Sequence, residues 1–267
     1  MIKTIGGANR HPTNRSLDDF RQYWAEHHGP FFAHTPHLMR YVQHITLPEA
    51  YGGNPAPTHD GVSMFWFADL DTILHPPTSP TLVDAIPESH TDVYEWYVRA
   101  QRYGPPETMT MAETVPIDDR QLFDRATDWP TAHRRTSVVA TEQVIKEGRT
   151  LPGMVKAVYM VARKPGLTIQ EFQEHWRGVH APLVAQVPGL RRYVQNPAVL
   201  EAYALRPMTH DGFAEMWFDD LDALHRAALT PEWQAVQADA ATLYAEPVGL
   251  VIAHEGIRKE IGAYPRV

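Results

Sequence analysis

"FRQYWAEHHGPFFAHTPHLMRYVQ" occupies Phe20–Gln43, and "FQEHWRGVHAPLVAQVPGLRRYVQ" occupies Phe172–Gln195. At an offset of 152 the two stretches agree at 11 of 24 positions. The shared residues include Phe20/Phe172, Trp24/Trp176, His28/His180, Pro30/Pro182 and the run Arg40–Gln43/Arg192–Gln195. The likeness continues on both sides. "EAY" recurs at Glu49 and Glu201, "THDG" at Thr58 and Thr209, and "WFADLD" from Trp66 answers "WFDDLD" from Trp217. Upstream, Lys3, Arg10 and Pro12 line up with Lys156, Arg163 and Pro165. One supersecondary unit of roughly 110 residues is therefore present twice.

Each copy predicts the same elements. "MIKTIGG" and "MVKAVYMVA" read as opening strands. Ser16 with Asp19, and Thr168 with Glu171, have the capping-box spacing that satisfies orphan N–H groups at a helix start. Phe20, Trp24 and His28, like Phe172, Trp176 and His180, fall on one helical stripe. Gly29-Pro30 and Ala181-Pro182 are expected to end the helix, because proline cannot continue the hydrogen-bond ladder. "LMRYVQHITL" and "LRRYVQNPAVL" predict second strands, "DGVSMFWF" and "DGFAEMWF" third strands. A second helix follows, clearest after Thr230-Pro231-Glu232. "TMTMAETV" and "VGLVIAHE" are expected as the closing strands. The order β-α-β-β-α-β is ferredoxin-like, an α+β class. The expected boundaries are 1–115 for the first repeat, 116–152 for a linker, 153–256 for the second repeat and 257–267 for a tail. The first copy carries an extra "TILHPPTSPTLVDAIPESH", read as a loop or lid, and the linker's "TSVVATEQVI" as an additional edge strand.

The 267 residues bear a net charge of −8 without a basic block, which argues against nucleic acid and an anionic membrane surface as partners. There is no cysteine, so disulfides, thiolate metal sites and a cysteine nucleophile are excluded. The start "MIKTIGGANRHP" lacks the apolar run of a signal peptide, and no stretch has the length of a membrane span; a cytoplasmic location is expected. Neither a glycine-rich phosphate loop nor a GxSxG elbow occurs.

A ferredoxin-like sheet has helices on one face only, and its other face needs a cover. In the third strands both faces carry large apolar groups: Phe65 and Phe67 on one, Met64 and Trp66 on the other. Two copies in one chain can close these faces on each other. The expected product is a pseudo-twofold barrel around a partly apolar cavity suited to a small, mostly apolar ligand.

"RKPGLTIQEFQEHWRGVHAPLVAQVPGLRRYVQN", Arg163–Asn196, with "DGFAEMWFDDLDAL", Asp211–Leu224, resembles the EthD domain, a branch of the dimeric α/β barrel superfamily. The first copy departs from the pattern: Gly6-Gly7 interrupts its opening strand, and His37 stands where the second copy has Gly189. Members of the family usually pair two chains, so the resemblance implies a fused pair, with a homodimer of that pair compatible. The wider superfamily holds cofactor-free monooxygenases, muconolactone isomerases, polyketide cyclases and dehydratases, and haem-binding branches. The resemblance therefore implies a small-molecule site without naming its reaction.

His28 and His180 are the leading catalytic candidates, as general base or acid at the cavity mouth. A histidine in a last helical turn also serves the terminal carbonyls and the dipole, so both readings stand. Tyr41 and Tyr193 open the second strands and are candidate oxyanion holders, with a packing role as the alternative. Strand alternation keeps Tyr41 and His44 off a common face unless a bulge intervenes. Asp60 and Asp211 read as turn residues bonding their own backbone, or as carboxylates orienting a histidine. Glu215 lies in a strand core, where a raised pKa or an arginine neighbour is expected. Trp24, Trp66, Trp176 and Trp217, with His44 and Glu215, are expected to line the substrate cavity. His27, His34 and His37 make a poor metal set with His28, since adjacent helical residues diverge by about 100° and Pro36 breaks the regular turn.

The expected function is cofactor-independent acid/base chemistry of the lyase, dehydratase or isomerase type on a small aromatic or apolar metabolite. A non-catalytic small-molecule binder of a catabolic pathway and a haem-binding protein or cofactor-free oxygenase are the alternatives.

Overall fold

The computed structural model describes residues 1–9, 16–29, 33, 37–54, 56–71, 137–204 and 208–260. The first unit supplies β1 (Ile2–Ala8), β2 (Arg40–Thr46) and β3 (Gly61–Phe67). Between the units come β4 (Ser137–Ala140) and β5 (Gln143–Lys146). The second unit supplies β6 (Val155–Val161), β7 (Arg192–Pro197), β8 (Gly212–Phe218) and β9 (Gly249–Glu260). All pairs are antiparallel, in the order β4-β1-β3-β2-β9-β6-β8-β7-β5. In each unit the first and second strands flank the third, as a split β-α-β requires.

Two segments join the units. The first part of β9, to Ala253, pairs with β6, and the rest pairs with β2 of the other unit. β4 pairs with β1, and β5 with β7 of the other unit. β4 and β5 stand at opposite ends of the strand order, yet only Thr141 and Glu142 separate them. Two residues can bridge those ends only if the sheet curls back on itself. The seam is hydrogen-bonded: Thr141 N–H donates to Pro197 O (3.2 Å) and Val199 N–H to Val139 O (2.9 Å). The architecture is a pseudo-twofold α/β barrel of two ferredoxin-like units, α+β in class.

The edge strand expected in the segment between the units is present as two short strands: β4 holds beside β1 the place that β9 holds beside β6, and β5 pairs with β7. Val138 and Ala140 are buried in one cluster and Val139 in another, so both faces are covered and the run reads as apolar throughout. "TMTMAETV", the proline-rich insertion and the first unit's second helix lie outside the described residues. β9 also runs to Glu260, past the expected boundary at 256.

Helices cover the outer face. α1 (Leu17–Tyr23) and α2 (Ile169–His175) both start on the expected capping boxes, at Ser16/Asp19 and Thr168/Glu171. Each runs into a π turn, Trp24–His28 or Trp176–His180. Ala181-Pro182 does not end the second helix. Ala181 N–H reaches back five residues to Trp176 O, and Pro182 enters the first turn of α3 (Ala181–Ala185), where its missing N–H costs nothing. α4 (Leu221–Ala227) and α5 (Pro231–Leu243) complete the second unit. α5 is capped by Thr230, whose hydroxyl accepts from Trp233 N–H at 3.3 Å.

Period-two alternation sorts the strand side chains. Val155, Ala157, Tyr193, Ala214 and Met216 pack outward against Phe172, Trp176, Leu224 and Trp233. Val42, Val62, Met64, Val158, Met160, Phe213 and Val251 point inward and meet in a second core. Gly212 lets Trp176 lie on the strand: a Cβ there would come within 2.6 Å of the indole ring and 2.9 Å of Asn196 O. Gly61 plays the same part for Trp24.

Candidate active site

The candidates that were expected to share one cavity are divided by the sheet. Trp66, Trp217, His44 and Glu215 are inside the barrel; Trp24, Trp176, Tyr41, Tyr193 and His180 lie between sheet and helices. The helical stripe faces the outer side of the sheet, so it cannot contribute to the interior that strands alone enclose. Tyr41 and His44 do fall on opposite faces. The side chain of His28 lies outside the described residues.

On the outer face of the second unit a polar cluster surrounds His180. Phe172 and Trp176 anchor α2, with rings stacked 5.5 Å apart, and His180 follows one π turn after His175. That turn presents residues five apart to the same neighbour. Asp239 of α5 takes both imidazoles: Oδ1 lies 2.7 Å from His175 Nε2, and Oδ2 lies 2.8 Å from His180 Nδ1. A carboxylate only accepts, so His180 donates from Nδ1 and, when neutral, carries its lone pair on Nε2. Burial pushes His180 below the ordinary histidine value and outweighs the opposing hydrogen bond and charge of Asp239. It is thus neutral at pH 7 with a free lone pair, the state a general base needs.

One phenol adjoins this imidazole, and a second lies near the first. The Tyr244 ring stands edge-on to His180 at 5.3 Å, and burial, then Tyr193, pushes its hydroxyl well up. Burial also raises Tyr193, while Gln195 partly offsets it. Gln195 Nε2 donates to Tyr193 Oη (2.9 Å) and to Trp176 O (2.9 Å). The Tyr193 oxygen thereby accepts from Gln195 and keeps its own proton for another acceptor. In the first unit Gln43 repeats the bond to the helix, to Trp24 O at 3.0 Å, but the Tyr41 hydroxyl meets Ser63 Oγ at 3.1 Å.

The barrel interior is ionic. Lys3 and Lys156 both bind Glu215, the second at 2.8 Å. Glu142 lies 3.1 Å from Lys3 and Glu255 3.6 Å from Lys156. Lys3 sits over Trp66 (4.5 Å) and Lys156 over Trp217 (4.2 Å). Glu215 has neither of its expected features. Burial opposes its charge, but Lys156 and Lys3 outweigh burial and hold it far below the usual carboxylate range. His44 is fully buried, with no hydrogen bond at either ring nitrogen among the described residues; burial and then Lys156 keep it well below the ordinary histidine value.

Asp60 accepts from Tyr51, and Asp211 from Tyr203 (2.5 Å), Arg163 N–H (2.6 Å) and the Arg163 guanidinium. The histidine-orienting carboxylate is Asp239, which sequence reasoning missed: it lies 59 residues beyond His180, on a helix with no motif around it. His175 was hidden by its spacing, which joins His180 only through a π turn. Lys3 and Lys156 were visible as an aligned pair, but nothing in the pattern showed that one glutamate would serve both. Among the described residues no group of three or more His, Cys, Asp or Glu side chains is placed to hold a metal ion, and no helix is long and apolar enough to cross a membrane.

Fold and site together define a fused α/β barrel whose sheet–helix layer holds an oriented imidazole beside phenols. The chain belongs to the EthD family: the EthD domain model matches residues 13–92 and 164–247, more than half of the chain and one match per unit. It is similar to an ethyl tert-butyl ether D (EthD) family protein from Bacillus halodurans, at 30% identity over 38% of this chain and 96% of that one, with a TM-score of 0.33. An anthrone oxidase-like protein shares the fold over 98% of this chain and 95% of its own, at 12% identity and a TM-score of 0.52. SnoaB, a cofactor-independent oxygenase from Streptomyces nogalater, aligns over 42% of this chain and 98% of its own, at 18% identity and a TM-score of 0.26. No curated protein matches the chain.

Proposed function

We propose that the chain is a cofactor-independent enzyme that takes a proton from a small aromatic or otherwise apolar metabolite, with His180 as base. The observation that carries this reading is the 2.8 Å contact between Asp239 and His180 Nδ1, which leaves Nε2 of a buried, neutral imidazole as the acceptor. A C–H beside a carbonyl, or a phenolic O–H, gives its proton to Nε2. The electron pair moves to oxygen, and the Tyr193 hydroxyl donates to that developing oxyanion. Asp239 stabilises the imidazolium. Return of the proton to a departing hydroxide completes a dehydration with loss of water; its return to another carbon completes an isomerisation. Tyr41, Phe20 and Trp24 form the related outer-face position of the other unit, and the second unit is the proposed active one.

The fold shared with the anthrone oxidase-like protein raises a second ending for the same carbanion, addition of O2. Both endings need the same first step, so that step is the one to test. Hydroxylated aromatic ketones are incubated with the protein in D2O and followed by NMR for carbon-bound deuterium. Exchange at one position is expected, falling by about 10²–10⁴-fold in His180→Ala. Equal exchange in wild type and His180→Ala overturns the assignment. Oxygen uptake separates the two endings, and binding without exchange or turnover favours a non-catalytic binder.

A further inference from the structure

Asp239 is shared. Its two oxygens hold two imidazoles at nearly equal distances, 2.7 Å for His175 and 2.8 Å for His180. The imidazoles differ in surroundings: the His175 side chain is 37% exposed and the His180 side chain 5%. A carboxylate fixed at one oxygen can swing about its Cβ–Cγ bond; one fixed at both cannot. We infer that His175 is a positioning residue that locks Asp239 onto His180 and, when protonated from solvent, weakens the buried base by sharing its counter-charge.

The chemistry of the link is electrostatic. Neutral His175 donates one hydrogen bond and leaves the full charge of Asp239 to favour His180 protonation. Charged His175 claims part of that charge and repels a second positive ring across the same carboxylate. Tyr244 stands at the edge of His180, and Tyr193 acts on Tyr244. Both phenols are pushed above the ordinary tyrosine value by burial, so neither ionises in the range where histidines titrate. The direction agrees with the pull on His180: burial lowers it most, Asp239 raises it, and His175 lowers it further.

The consequence for rate rests on the proposed role of His180, but the coupling belongs to the resting protein and is measured without substrate. The full chain is labelled with 15N-histidine and titrated by NMR as wild type, His175→Gln and Asp239→Asn. His180 is expected as the Nδ1–H tautomer in wild type. Its nitrogen shifts respond twice, once to its own protonation and once to that of His175. In His175→Gln, which keeps a donor for Asp239 but no titratable charge, the second response vanishes and the His180 midpoint rises by about half a pH unit, a roughly threefold gain in proton affinity. Asp239→Asn lowers the midpoint and removes the coupling. A single-step wild-type curve, or the same midpoint in wild type and His175→Gln, overturns the inference. The wild-type curve decides it alone if a variant fails to fold. Loss of deuterium exchange in His180→Ala together with an uncoupled titration would reject the positioning role and leave the proposed reaction standing.

Discussion

Lys3 of the first unit and Lys156 of the second, equivalent positions of the repeat, close on the single carboxylate of Glu215 inside the barrel. Met64 stands where a symmetric pair would have the second glutamate. Two identical chains related by a twofold axis would have to carry two such carboxylates or none. Fusion of the copies permits one, and that one ties the two units together at the centre.

Removal of that carboxylate should be severe. Glu215→Gln leaves two buried ammonium groups short of counter-charge, so urea denaturation should show a loss of about 3–5 kcal/mol. Replacing Lys3, Glu215 and Lys156 together by methionine should cost less than Glu215→Gln, since the carboxylates then left without those lysines, Glu142 and Glu255, are partly exposed to solvent. A loss under about 1 kcal/mol in Glu215→Gln would mean that the network is not buried as described.

Stability should fall in acid in two stages. His44, His59, His180 and His210 are all lowered by burial first, His210 to about 4. The unfolded chain binds protons at these residues below about pH 6.5 while the folded one resists, so stability declines from there downward. Glu215 and Glu255 are lowered as well, by lysine charges that outweigh burial, and their contribution is lost only below the ordinary glutamate range. Thermal melts from pH 8 to pH 4 should decline from about pH 6.5, and His44→Leu should decline less steeply. A flat profile down to pH 5 contradicts the buried neutral histidines.

His44→Leu bears on packing too. Both ring nitrogens of His44 are buried without partners among the described residues, and exchanging such a group for an apolar one of similar size is neutral or stabilising. At pH 8 the variant should be at least as stable as wild type. A loss of more than about 1 kcal/mol would show that the imidazole makes a polar contact the interior depends on.

Two backbone positions give opposite outcomes. His37 is exposed at φ 55°, in the left-handed region where its counterpart Gly189 has φ 79°. His37→Gly should therefore gain about 0.5–1 kcal/mol by relieving Cβ strain, read as a higher denaturation midpoint. Gly212→Ala should lose about 1–3 kcal/mol, because its methyl would press on Trp176, and it should also broaden the His180 resonances by shifting the π turn. Unchanged melting in Gly212→Ala would argue against the close ring–strand contact.

Much of the fold was legible. The capping boxes, the second and third strands and the repeat itself are local patterns, written in residues a few positions apart. That the strand beside β1 comes from "TSVVA" was not legible, because an apolar run buried on both faces looks like any short hydrophobic run. Proline at 182 was read as a stop because a π turn leaves no mark in composition. Half of the proposed site was legible as His180 and Tyr193, which repeat with their flanking residues. Asp239 was not, since it meets His180 only after α5 folds against the π turn.

The sequence by itself determined that there are two units, what each is built from and which residue types recur, because alternation, helical spacing and caps are properties of neighbours along the chain. Only the tertiary structure decided which side of the sheet each residue serves, that one glutamate holds both lysines, and that one aspartate holds both histidines. Those relations depend on strand register and helix placement, where a shift of a single residue moves a side chain to the opposite face.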